Sequence, residues 1–238
     1  MITVYYARAE QMVQKTGYAL CFEHLEEKRK ERVLRTGNQT DQVRSLATGE
    51  LLYLAVCRYP AELPAEKVTF EIRKGPFGKP YFKDLPQIHF NLSHSGDYVC
   101  CAIGDEPVGV DIQKHVPVKK GLAKRFFTEK ENEILEKLKE NERENAFFRM
   151  WSIKESYVKL TGKGLRQRMD SFEIDQKGKC IYQSGLSVNP PAHAEAYFEE
   201  FFGLEEYSVS LCTENPQTEV IWFDAERIMQ TENEQICR

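Results

Sequence analysis

The sequence predicts an α+β protein of two pseudo-symmetric lobes, each a small, mainly antiparallel sheet packed with helices. Three observations support this. The order strand, helices, strands occurs twice along the 238 residues. The closing hairpins of the halves echo each other, Tyr98-Val99-Cys100 through Pro107 resembling Tyr207-Ser208-Val209 through Pro216. No Gly-, Ser- or Pro-rich linker parts the halves, which meet near residue 106. Lobes of 1–106 and 107–238 are therefore expected to pack tightly, with a ligand cleft between them, as small ligands favour domain interfaces.

The apolar run from Ile2 to Ala7 reads as the first strand. Helices follow near 18–35 and 43–58. The first carries Phe22, Leu25 and Val33, with Lys28-Arg29-Lys30, Arg32 and Arg35 on its solvated face; the second carries Leu46, Leu51, Leu52, Leu54, Ala55 and Val56 and stops before Pro60. Residues 67–73 alternate as a half-buried strand. Pro76, Gly78 and Pro80 force a loop. Strands near 88–92 and 97–103 turn through Ser95-Gly96-Asp97. The pattern then restarts with a strand from Val108 to Gln113, short helices in 119–138 and a long helix over 143–161 capped by Gly162. Thr128-Glu129-Lys130-Glu131 spells a capping box. Strands near 171–175, 193–199, 206–212 and 219–223 complete the chain.

Composition narrows the function. Lys and Arg number 33 against 37 Asp and Glu, a net charge of −4 that argues against a bulk nucleic-acid binder. With 41% hydrophobic and 11% aromatic residues the chain can bury a core. No apolar run approaches the ~20 residues of a membrane helix, and Met1 to Tyr6 shows no basic leader or long apolar stretch. A soluble cytoplasmic protein without membrane or nucleic-acid partners is expected. The seven cysteines form no C-x-x-C pair and read as reduced, small hydrophobes.

Chemistry is expected where polar residues break these patterns. In Gly109-Val110-Asp111-Ile112-Gln113, Asp111 and Gln113 share one strand face. A mid-strand aspartate needs a partner, either a nearby lysine or a hard cation such as Mg²⁺. In the helix through Trp151-Ser152-Ile153-Lys154-Glu155-Ser156, Lys154 falls within the stripe of Phe147, Trp151 and Val158, and Glu155 sits at its edge. Lys159 follows one turn later, so a solvated Glu155–Lys159 pair is the alternative to a functional one. Phe90-Asn91-Leu92-Ser93-His94-Ser95 places polar groups at a strand end, suited to phosphate or to an ordinary hairpin turn. Gly75-Pro76-Phe77-Gly78-Lys79 lacks the P-loop spacing and reads alone as a loop with an exposed lysine.

Taken in order, Gly78-Lys79-Pro80-Tyr81, Phe90 to Ser95, Gly109 to Ile112, Arg125-Phe126-Phe127, Trp151 to Ser156 and Lys163-Gly164-Leu165 resemble the 4'-phosphopantetheinyl transferases, especially the two-lobed Sfp type. The resemblance spans about residues 20–215. It implies transfer of the 4'-phosphopantetheine arm of coenzyme A to a serine of an apo acyl or peptidyl carrier protein, releasing adenosine 3',5'-bisphosphate. It further implies that Asp111 and Glu155 hold Mg²⁺, that Lys159 neutralises phosphate charge, and that Ser93, His94, Lys79, Arg44 and Lys28 contact the coenzyme A phosphates. Many relatives carry a second acid where this chain has Gln113, whose amide oxygen can ligate Mg²⁺ without adding charge. The serine proton is assigned first to Glu155, with Glu131 or a metal-bound water as alternatives. By the same resemblance the protein is a monomer. Two rivals stand beside this reading: a metal-dependent phosphodiesterase acting on a nucleotide, and a non-catalytic module binding carrier protein or coenzyme A.

Overall fold

The computed structural model describes residues 1–59, 71–184 and 194–229. Contacts divide the chain into two units, one of residues 1–74, 80–106 and 219–238, the other of 75–79 and 107–218. One break between the units falls at 106/107, and the first unit takes in the chain from residue 219 onward while the second takes in 75–79.

The first unit contains β1 (Ile2–Arg8), α1 (Ala9–Thr16), α2 (Tyr18–Glu23), α3 (Glu27–Arg35), α4 (Gln39–Cys57), β2 (Ile72–Lys74), β3 (Pro80–Phe82), β4 (His89–Ser95) and β5 (Tyr98–Gly104). Asn38 caps α4 by accepting from the Asp41 N–H at 3.2 Å. The buried face of α4, Leu46, Leu51, Leu52, Ala55 and Val56, packs with Val99, Cys101 and Ile103 of β5 in one core. Such a contiguous apolar face, rather than helix propensity, supplies most of a helix's stability in a folded protein. The expected strand at 67–73 lies mostly outside the described residues, and what is described there is the short β2–β3 ribbon.

The second unit contains β6 (Val108–Lys114), α5 (Leu122–Phe126), α6 (Glu129–Lys137), α7 (Glu140–Thr161), β7 (Phe172–Asp175), β8 (Cys180–Gln183), β9 (Ala196–Phe201) and β10 (Tyr207–Thr213). Its sheet runs β6-β10-β9-β8-β7. The capping box on α6 forms, and α7 ends on Gly162 in the left-handed region at φ 67°. The last strand, β11 (Val220–Asp224), leaves this unit and pairs parallel with β1, giving a first sheet ordered β11-β1-β5-β4. It had been expected among the strands of the second lobe. Pairing covers an edge of β1 that would otherwise present unpaired backbone groups.

The two units share an internal order. In each, the opening strand pairs antiparallel with the last strand of a hairpin that follows a long helix, β1-β5-β4 in one and β6-β10-β9 in the other. Among the described residues no helix is long and apolar enough to cross a membrane, and all six cysteines are free thiols. Cys237 lies outside the described residues.

Candidate active site

Helix α7 lies directly on β6 and β10, and small residues permit the approach. A Cβ on Gly109 would fall 2.0 Å from the Ser156 carbonyl and 2.4 Å from the Leu160 nitrogen, so only glycine fits there. Ser152 and Ser156 are fully buried on the helix side, and Ser152 Oγ donates to the Asp111 carbonyl at 3.2 Å. This seam positions Asp111, which is 4% exposed in the middle of an edge strand. Lys159 Nζ donates to Asp111 Oδ1 at 2.7 Å and to the Val110 carbonyl at 3.0 Å. The lysine expected as a possible partner of Glu155 along the helix is thus turned onto the strand. Glu155 stands beside the same group: burial, then the Asp111 carboxylate, push its proton affinity up, and Lys159 only partly offsets them. Gln113 is half-buried two residues beyond Asp111, opposite Ser208 of β10.

Lys79 does not stand free in its loop. Its ammonium donates to the Leu160 carbonyl at 2.8 Å and the Val108 carbonyl at 3.0 Å, closing the end of α7 onto the start of β6. Its stem lies against Gly162, and burial brings its pKa down to about 8.

Lys154 and Glu131 prove structural. Lys154 is fully buried and donates to the Met169 and Phe172 carbonyls at 2.7 Å each and to Glu131 Oε2 at 2.8 Å, with its ammonium 4.3 Å from the centre of the Phe172 ring. Glu131 Oε2 also accepts the Thr128 N–H at 2.9 Å, and Oε1 accepts the Ile174 N–H at 3.1 Å. A carboxylate so occupied is unsuited to receive a substrate proton, which removes Glu131 from the proton acceptors expected above.

The remaining candidates lie in the first unit. Ser93 is buried and His94 exposed at the end of β4. Arg44 on α4 donates from Nε to the Gly96 carbonyl at 2.8 Å and pairs with Asp41 at 3.1 Å, which holds it at the turn just after His94. Lys28 is exposed on α3. Ser45, next to Arg44, was not anticipated: its Oγ is buried and has no hydrogen-bond partner among the described residues.

Two family models match the chain, "4'-phosphopantetheinyl transferase, N-terminal" over residues 12–105 and "4'-phosphopantetheinyl transferase superfamily" over 107–212. The chain is 33% identical over 190 residues to 4'-phosphopantetheinyl transferase Sfp of Bacillus subtilis, covering 79% of this chain and 81% of that one. The chain belongs to the 4'-phosphopantetheinyl transferase superfamily. The transferase is also 34% identical over 215 residues to 4'-phosphopantetheinyl transferase gsp of Aneurinibacillus migulanus, covering 90% and 86% of the two chains. A solved holo-(acyl-carrier-protein) synthase from Bacillus anthracis, in complex with CoA, covers 44% of this chain and 92% of that one at a TM-score of 0.34 and 20% identity, too distant a likeness to carry weight.

The donor set of the transferase suits a hard divalent cation. Asp111 and Glu155 offer carboxylate oxygens, and the repulsion by Asp111 that adds to burial in raising the Glu155 pKa is what a bound cation would relieve. Among the described residues no cluster of three or more His, Cys, Asp or Glu could hold a metal. A site of two carboxylates needs further oxygens from water or phosphate, the arrangement Mg²⁺ commonly adopts with phosphorylated substrates.

Proposed function

We propose that the transferase moves the 4'-phosphopantetheine arm of coenzyme A to a serine hydroxyl of an apo acyl or peptidyl carrier protein and releases adenosine 3',5'-bisphosphate. We take it to act as a cytoplasmic monomer, with Mg²⁺ held by Asp111 and Glu155 and with Gln113 as a neutral third donor. Family membership supports the reaction. The observation that carries the site is the Asp111–Lys159 contact at 2.7 Å with Glu155 electrostatically coupled to both.

Phosphoryl transfer asks chiefly for positioning and charge neutralisation. A bound Mg²⁺ would supply neutralisation at the pyrophosphate oxygens. Lys159 adds a cation beside the same carboxylate, placed to balance charge as the P–O bond to the departing bisphosphate breaks and the bond to the serine oxygen forms. Glu155 is taken to receive the serine proton, because Glu131 already accepts the Thr128 and Ile174 N–H groups and the Lys154 ammonium. Arg44, Ser93, His94 and Lys28 contact the coenzyme A phosphates. Lys79 has a lesser share, because two of its N–H groups serve backbone carbonyls.

Incubation with coenzyme A, Mg²⁺ and an apo carrier protein, followed by intact mass spectrometry, tests the reading. A gain of about 340 Da on the carrier is expected for the transferred arm, lost in Asp111→Ala and Glu155→Ala. Coenzyme A cleaved without modification of the carrier would establish a phosphodiesterase instead. Coenzyme A bound and intact would establish a binding module.

A further inference from the structure

The strand beside the metal-binding face carries a hydroxyl that the reaction as described does not use. Ser210 of β10 is directly opposite Asp111 of β6 in the antiparallel register, and Ser208 is opposite Gln113. Residues so paired project to the same face with Cβ atoms about 4.5–5.5 Å apart. Both serines are buried, at 1% and 4% exposure. Their hydroxyls differ in one respect. Ser208 Oγ lies 2.9 Å from His115 Nε2, a ring that stacks on Phe148. Ser210 Oγ has no hydrogen-bond partner among the described residues. A buried hydroxyl left unpaired costs about 1–3 kcal/mol, and alanine would fit the same place on the strand without that cost.

We propose that Ser210 is a positioning residue of the metal site, its hydroxyl providing the hydrogen bond that holds the Asp111 carboxylate in its ligating orientation when a divalent cation is bound. The inference rests on the reading of Asp111 as a metal ligand. Its physical basis is general: carboxylates that bind metals are themselves hydrogen-bonded from behind, and loss of such a partner typically weakens metal affinity about 10–100-fold. In the structure Asp111 Oδ1 is drawn onto Lys159. A cation competing for that carboxylate needs a neutral donor that can fix it without neutralising it, and the hydroxyl across the strand pair is such a donor. Ser152 and Ser156, the hydroxyls facing the same seam from α7, are committed elsewhere, to the Asp111 carbonyl and to Ile153 and Cys212.

The test is a Mn²⁺ titration, read from the loss of the free-ion paramagnetic resonance signal. It uses the full chain with coenzyme A present and carrier protein absent, so that no turnover occurs. Wild type, Ser210→Ala, Ser210→Thr and Asp111→Asn are compared, with thermal unfolding measured without metal for each. The expected result is at least about tenfold weaker Mn²⁺ binding in Ser210→Ala, with a metal-free melting temperature equal to or above wild type and recovery of affinity in Ser210→Thr, which keeps the hydroxyl. Wild-type affinity in Ser210→Ala, with binding lost in Asp111→Asn, would overturn the role of Ser210 and leave the metal site standing. Equal binding by wild type and Asp111→Asn would overturn the metal-ligand reading and the inference with it. A lower metal-free melting temperature in Ser210→Ala with unchanged affinity would make the hydroxyl structural.

Discussion

Lys154 Nζ and Glu131 Oε2 meet at 2.8 Å with neither side chain more than 2% exposed, joining α7 to the first turn of α6. The pair explains why a lysine stands inside an aromatic stripe: the charge is paired, donates to two carbonyls and lies over the Phe172 ring. Removing one member of such a pair leaves the other buried and uncompensated. Lys154→Met is expected to lose about 3–5 kcal/mol of stability, read by urea denaturation. Adding Glu131→Gln to it should recover part of that loss, and the single variant Glu131→Gln should retain its turnover per folded molecule. A turnover loss of about a hundredfold in folded Glu131→Gln would return that carboxylate to the chemistry.

Glu155 gives a pH-dependent signature. Its folded pKa is raised above the ordinary 4.5 by burial and then by Asp111. Below 4.5 the group is protonated in both states; as pH rises through the raised folded value, the folded state is penalised because it holds the proton that the unfolded chain has released. Metal-free Glu155→Gln is therefore expected to melt higher than wild type at pH 8 and to match it near pH 4. Turnover should fall by about 10²–10⁴-fold, the range for loss of a general base. Equal melting temperatures at both pH values would contradict the electrostatic coupling.

Lys79 titrates with the opposite sense. Its pKa is depressed from 10.5 to about 8 by burial. Between those values the folded state loses its proton before the unfolded chain does, so stability gains with rising pH. The neutral amine still has two N–H groups for the Val108 and Leu160 carbonyls. The stability of wild type relative to Lys79→Met should accordingly rise from about pH 8 to 10.5, the range between those two values. A constant difference across it would refute the assignment.

Gln113 shares the strand face of Asp111 but adds no charge. In Gln113→Glu a further carboxylate joins the donor set, and the Mg²⁺ concentration for half-maximal activity is expected to fall about tenfold or more, by the charge rule for oxygen-ligand sites. An unchanged Mg²⁺ titration would place residue 113 outside the metal's reach.

The elements with strong periodicity were legible in the sequence. The apolar runs of β1, β5 and β6, buried on both faces, and the apolar face of α4 are read directly from the residues. Helix α1 escaped because its N-cap, Arg8, offers no capping side chain and the helix follows β1 without a break. β8 is a four-residue strand entered through Lys177-Gly178-Lys179, a stretch that reads as loop. The placement of β11 beside β1 has no local signal, since its partner lies more than two hundred residues away. At the candidate site, Asp111, Glu155 and Lys159 stand out in the sequence as charges that break a pattern. The partners were not: Lys159 turning to Asp111, Lys79 to two carbonyls and Lys154 to Glu131 are matters of tertiary contact, which spacing along a chain does not encode.

The pairing of β11 with β1 also sets an order of events during synthesis. Residues 1–106 emerge first, yet their sheet lacks its outer strand until Val220–Asp224 has been translated. Until then the nascent chain carries an open strand edge, the feature most prone to mispairing with other chains. The other unit, residues 75–79 and 107–218, has its described strands within 107–218 and can close its sheet earlier. The N-terminal half is thus made first and finished last.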